Sequence, residues 1–158
     1  TYNVRLTGKV GSSEVTWNMY VEKTGTGSFD EFLWYTGTSK LDGTGGQWIL
    51  NLSNVYPDPF LQIDWTRSGT TITSVKYTYI REYENDGTTL DEKNGSYITL
   101  SRITGTYDAK FVIHYFNGSS FSDVEVEWST TGKNGRVKCL AFFGDSDWHL
   151  WDAYHLDP

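Results

Sequence analysis

Apolar and polar side chains alternate with a period of two along almost the whole of this chain. Val15, Trp17, Met19 and Val21 alternate with Thr16, Asn18, Tyr20 and Glu22; Leu61, Ile63 and Trp65 with Gln62, Asp64 and Thr66; Val124, Val126 and Trp128 with Glu125, Glu127 and Ser129. A strand with one covered and one wet face produces this pattern, because successive side chains point to opposite sides of a sheet. Clusters rich in Gly, Asn and Asp break the alternation at 11–13, 24–28, 42–46, 56–59, 68–70, 85–95, 117–120 and 133–135, where positive φ or preset turns are needed. Strands are therefore predicted near 2–9, 14–22, 31–36, 47–52, 60–67, 71–83, 96–103, 107–116, 122–130 and 136–142. Connections this short favour antiparallel neighbours. The expected fold is one all-β domain over 1–158, an antiparallel sandwich or barrel of about ten strands.

A repeat sharpens that expectation. Residues 47–66 (QWILNLSNVYPDPFLQIDWT) lie without a gap over 110–129 (KFVIHYFNGSSFSDVEVEWS), so that Trp48 falls on Phe111, Ile63 on Val126, Asp64 on Glu127 and Trp65 on Trp128. Each tryptophan is followed by a Gly turn and then Val75-Lys76-Tyr77 or Val137-Lys138-Cys139. Either the chain holds two pseudo-repeated halves that close on each other, or two amphipathic hairpins share only a pattern. On both readings Trp65 and Trp128 face inward, leaving Asp64 and Glu127 to solvent.

Composition narrows the partners. Thirteen basic against twenty acidic residues leave a net charge of −7, which repels phosphate backbones and argues against nucleic acid and anionic membranes. No apolar run approaches the roughly 20 residues of a membrane-spanning helix. The single cysteine, Cys139, cannot form an internal disulfide; it lies in an apolar strand as a small hydrophobe. The chain starts at Thr1 without a charged n-region or apolar h-region, as one that has lost a leader would.

Catalytic chemistry finds little footing, and no catalytic residue and no cofactor are assigned. There is no Gly-x-Ser-x-Gly elbow. Asp64 and Glu127 would need to converge on one cleft to act as a glycosidase pair. The tail from Gly144 to Pro158 holds Asp145, Asp147, Asp152, Asp157, His149 and His155, but in no standard metal spacing. It reads instead as a short capping turn, with Trp148, Trp151, Leu150 and Tyr154 covering an open end of the β structure.

Binding is the better supported class. Aromatic residues make up 16% of the chain, more than one core requires, so the surplus is available to a ligand. Trp34, Tyr35, Tyr20, Tyr56, Tyr83 and Tyr115 lie off the expected core face, with Asn18, Asn54, Asp58 and Asn117 close in sequence to hydrogen-bond sugar hydroxyls. A glycan is the expected ligand. The alternatives are a calycin-like barrel carrying a small lipophile and a structural or adhesive module of a larger surface protein.

The segments Phe60-Leu61-Gln62-Ile63-Asp64-Trp65, Gly95-Ser96-Tyr97-Ile98, Val126-Glu127-Trp128 and Gly135-Arg136-Val137-Lys138, followed by Phe143-Gly144-Asp145-Ser146-Asp147-Trp148-His149-Leu150-Trp151-Asp152, resemble uncharacterised secreted proteins and lipoproteins of Bacteroidetes. The likeness covers roughly the C-terminal two thirds of the chain. It implies export to the periplasm or cell surface and assigns no catalytic residue. Similarity to lipocalins is one of shape only, since their N-terminal Gly-x-Trp is missing.

Overall fold

The computed structural model describes residues 1–154. Eleven strands run in sequence order through one antiparallel sheet: β1 (Tyr2–Val10), β2 (Glu14–Lys23), β3 (Phe29–Lys40), β4 (Gly45–Asn51), β5 (Pro59–Ser68), β6 (Thr71–Tyr79), β7 (Tyr97–Arg102), β8 (Ala109–Phe116), β9 (Phe121–Trp128), β10 (Gly135–Lys138) and β11 (His149–Trp151). One helical turn, α1 (Leu140–Phe143), rests on β9 and ends at Gly144, whose φ of 83° suits a residue without Cβ. The all-β antiparallel architecture is thus as expected. The sheet does not close, so it fits an opened barrel or a sandwich without joined edges.

Two differences from the expected elements have clear causes. The run 136–142 stops being a strand at Lys138, because α1 takes over from Leu140. The tail is not merely a cap: His149–Trp151 pairs with β10 as an edge strand, Gly135 lying opposite Trp151. His155 and Asp157 lie outside the described residues.

Register sorts the side chains into two faces. One row crosses the sheet as Gly8, Trp17, Gly37, Trp48, Ile63, Tyr77, Ile98, Ile113 and Val124; the next runs Val10, Val15, Ser39, Gly46, Trp65, Val75, Leu100, Phe111, Val126, Val137 and His149. Both rows are on one apolar face. The opposite face carries the row Thr38, Gln47, Asp64, Lys76, Thr99, Val112, Glu125 and Lys138, polar but for Val112.

The apolar face is only partly covered. Among the described residues Val21, Ala109 and Cys139 are the buried apolar ones, while mid-sheet Tyr77, Ile98 and Leu100 are 44%, 41% and 47% exposed. The chain exposes 10140 Å², against the roughly 8,000 Å² of a compact domain of its 18.0 kDa mass.

Lateral packing supplies the cohesion that a second layer would otherwise give. Four tryptophans place their rings against a glycine on the neighbouring strand: Trp17 against Gly8, Trp48 against Gly37, Trp65 against Gly46 and Trp151 against Gly135. A methyl group on Gly37 would sit 2.2 Å from Trp48 Cε3, so only glycine admits the ring. Each indole shields backbone that glycine leaves bare, the cross-strand arrangement that offsets the poor strand propensity of glycine.

The two similar hairpins, β4–β5 and β8–β9, share their pairing as well as their sequence pattern. Trp48 pairs with Ile63 and Gln47 with Asp64; Phe111 pairs with Val126 and Lys110 with Glu127. The correspondence slips at the third strand, where Val75 lies opposite Trp65 but Gly135 lies opposite Trp128. The halves do not close on each other, because both hairpins sit side by side in the one sheet, with β6 and β7 between them.

Candidate ligand-binding surface

Trp34 owes its position to a β-bulge. Met19 pairs with Tyr35 and Tyr20 pairs with Leu33, so Trp34 is an extra residue with no partner on β2. A bulge bends the strand and re-aims the side chain it carries. Trp34 is 39% exposed, and its ring centroid lies 5.9 Å from that of Tyr35, tilted by 52°. Tyr35 in turn meets Trp48 edge-on at 5.3 Å and 83°. Asn51 braces the segment by donating through Nδ2 to the Leu33 carbonyl at 2.8 Å. The result is a row of three rings, Trp34, Tyr35 and Trp48.

The remaining expected ligand residues do not join that row. Tyr20 is on the polar face beneath the Arg5 guanidinium, 4.2 Å from its ring centroid. Tyr56 stands in the β4–β5 connection, where its backbone N–H donates to Ser53 Oγ. Tyr83 lies in the long 80–96 connection and bridges to Leu90. Tyr115 lies opposite Ser122 in β8, five strands and about 24 Å from Tyr35. Tyr35 and Tyr115 are on the apolar face rather than off it, because they keep step with Trp48's and Phe111's side of their strands. Tyr20, Tyr56, Tyr83 and Tyr115 are nevertheless nearer the end of the sheet that carries the connections 24–28, 52–58, 80–96 and 117–120, whereas Trp34 and Tyr35 lie mid-way along β3.

Sequence reasoning missed a second aromatic array, on the polar face. Tyr97, His114 and Phe121 stack in parallel on β7, β8 and β9, with centroids 4.9 and 4.6 Å apart, and Lys76 Nζ caps the stack 4.1 Å from the Tyr97 ring. His114 Nδ1 lies 2.6 Å from Asp123 Oδ1. Beyond it, a hollow of about 400 Å³ is lined by Phe121, Asp123, Glu125, Lys138, Cys139 and Ser146, among others. His114 and Phe121 flank one predicted hairpin and Tyr97 comes from the strand before it, so only the pairing register, which alternation does not fix, could have announced the array.

The acids also depart from expectation. Glu127 does point away from Trp128, but it is 9% exposed rather than wet. Arg136 donates to its Oε2 at 2.6 Å and Lys110 lies 3.4 Å from Oε1. Glu125 accepts from Lys110 at 2.5 Å and pairs with Lys138 at 2.8 Å. Burial pushes the Glu125 carboxyl up, but the hydrogen bonds from Lys110 and Lys138 outweigh it and hold it below the usual range. Asp64 accepts from Gln47 and Gln62, both at 2.8 Å. Four strand spacings, about 19 Å, separate Asp64 from Glu127, well beyond the reach of a paired-carboxylate mechanism.

Asp91 has a structural task. It is 5% exposed and accepts from Tyr79 Oη at 2.6 Å and the Lys93 amide at 3.1 Å. Burial pushes its carboxyl up; these bonds and the nearby Lys93 and Arg81 charges bring it below the usual value. The 80–96 connection is thereby tied to β6.

In the tail, His149 Nε2 lies 3.1 Å from Asp145 Oδ1 and its ring stacks on Phe143 at 3.8 Å. No group of three metal-ligating side chains occurs among the described residues. Trp151 donates to the Lys133 carbonyl and covers Gly135, which explains why this segment joins the sheet. No helix among the described residues is long and apolar enough to cross a membrane. No protein-family model matches this chain, and neither a curated protein nor a solved structure matches it.

Proposed function

We propose that this chain is an exported, non-enzymatic recognition domain that holds a glycan against Trp34 and Tyr35. The observation that carries the reading is the bulge, which singles out one tryptophan from the strand ladder and leaves it exposed beside a second ring. Sugars offer apolar C–H faces to such platforms and hydroxyls to nearby amides.

Titration with a panel of soluble polysaccharides should quench tryptophan fluorescence. Trp34→Ala should abolish the response at a stability cost of about 1–2 kcal/mol, since the ring is 39% exposed and touches Tyr35. A panel that leaves the native chain's fluorescence unchanged would sink the reading.

The partly uncovered apolar face favours a second reading, a structural or adhesive module of a larger surface protein. Exposed apolar patches of this breadth mark association surfaces. A small lipophile, the remaining alternative, would rest on an open face instead of inside a barrel, and solvent extraction of the purified protein would recover it.

A further inference from the structure

The two edges of the sheet are unlike. β11 offers three residues, whereas β1 offers nine, every one of them exposed and none of them bulged. Its outward backbone groups follow from the pairing. Gly11 N–H donates to the Glu14 carbonyl and Thr24 N–H to that of Thr1, so odd-numbered residues of β1 face β2. Tyr2, Val4, Leu6, Gly8 and Val10 therefore turn their N–H and C=O groups away from the sheet. Their side chains also share the apolar face, with Tyr2, Val4, Leu6 and Val10 between 54% and 71% exposed.

Natural edges are usually guarded by charged side chains that reach past them. Here three of the four polar side chains of β1 lean inward instead. Asn3 donates to Glu22 at 2.6 Å, Arg5 lies over Tyr20 and pairs with Glu31 at 2.5 Å, and Thr7 reaches the Asn18 carbonyl at 3.4 Å. The edge is left open.

We propose that β1 pairs antiparallel with β1 of a second copy of this chain, centred on Leu6. The charges select that register. Outward groups must meet outward groups, so the strands can shift only in steps that keep even residues opposite even ones. Centring on Arg5 would set Arg5 against Arg5, and centring on Thr7 would set Arg5 against Lys9; like charges directly opposite are destabilising. Centring on Leu6 sets Arg5 against Thr7 and Lys9 against Asn3, and it overlaps all of 2–10. Tyr2 then meets Val10, Val4 meets Gly8 beside the Trp17 indole, and Leu6 meets Leu6. One open edge per chain closes the assembly at two copies instead of propagating a fibre.

This dimer is independent of the glycan reading. Sedimentation of the full chain should show a concentration-dependent dimer. Leu6→Pro should leave only monomer at about 100 μM; the Leu6 N–H points outward, so proline removes no bond to β2. Thr7→Arg, which puts a cation opposite Arg5 twice, should weaken the dimer roughly 2- to 30-fold, and Thr7→Glu should tighten it. Leu6→Cys should cross-link under mild oxidation, because hydrogen-bonded partners sit about 5.5 Å apart at Cα, and Val4→Cys should not. A chain that is monomeric throughout, or a dimer that survives Leu6→Pro or ignores the sign of the charge at 7, would overturn the proposal.

Discussion

The strands β2–β5 and β8–β10 solve the same problem by different chemistry. In the first region the apolar face is made continuous by indoles laid over glycines, Trp48 over Gly37 and Trp65 over Gly46, and the polar face holds neutral amides around Asp64. In the second the apolar rows are aliphatic, Ile113, Val124 and Val126 beside Phe111, and the polar face carries a ladder of five charges: Lys110, Glu125, Glu127, Arg136 and Lys138. An open sheet thus gains lateral cohesion either from ring-over-backbone contact or from alternating charge. Ring-over-backbone contact carries no titrating group, whereas the charge ladder does; the Arg5–Glu31 pair in the first region is solvent-exposed and screened.

The largest effect should come from the indoles. Trp48→Ala should cost about 3 kcal/mol in urea unfolding, as expected for removing a large half-covered ring. Gly37→Ala, with its new carbon 2.2 Å from the ring and 2.5 Å from the Gln47 carbonyl, should cost about 1–3 kcal/mol. The double variant should lose less than the sum, since removing the ring makes room for the methyl; additive losses would break the account of the pair.

A smaller loss, about 1–2 kcal/mol, should follow Glu127→Gln, which leaves Arg136 and Lys110 facing a neutral amide. Asp64→Asn should cost less, because its hydrogen bonds come from the neutral Gln47 and Gln62 amides, with Lys76 opposite it in register but not bonded to it in the way Arg136 is to Glu127. Equal costs at the two positions would erase the contrast between the regions.

The subtlest test is acidification. Glu125 has its proton affinity lowered in the folded chain, so its contribution is present above the unfolded value of about 4.3 and is lost as pH falls through the folded one. Amide exchange in β8–β10 should therefore accelerate below about pH 4 before that in β3–β5 does. Uniform acceleration across the sheet would contradict the division.

Much of the fold was legible because alternation is a local property. Ten of the strands fall near their predicted spans, and the Gln47–Thr66 hairpin does share its register with its counterpart. The eleventh, His149–Trp151, was not legible: three residues among aspartates give no period, and pairing to β10 depends on Gly135 accepting Trp151. Alternation also says which face is apolar without saying what covers it, so the openness of the sheet could not be read. Nor could the side of Tyr35 or the exit of Trp34, since one bulge shifts every later assignment in its strand by a residue; Tyr115, by contrast, keeps the unbroken alternation of Phe111 and Ile113, which the sequence did show. Glu127 was expected to be wet because its partners come from other strands.

Each strand meets chiefly those before and after it in the sequence, and the longest interruption is the 80–96 connection. Assembly can consequently advance as a zipper, hairpin upon hairpin, with small closure entropies at every step and brisk kinetics for a β protein of this length. The same linearity lets such a ribbon grow or shrink by whole hairpins without redesign elsewhere.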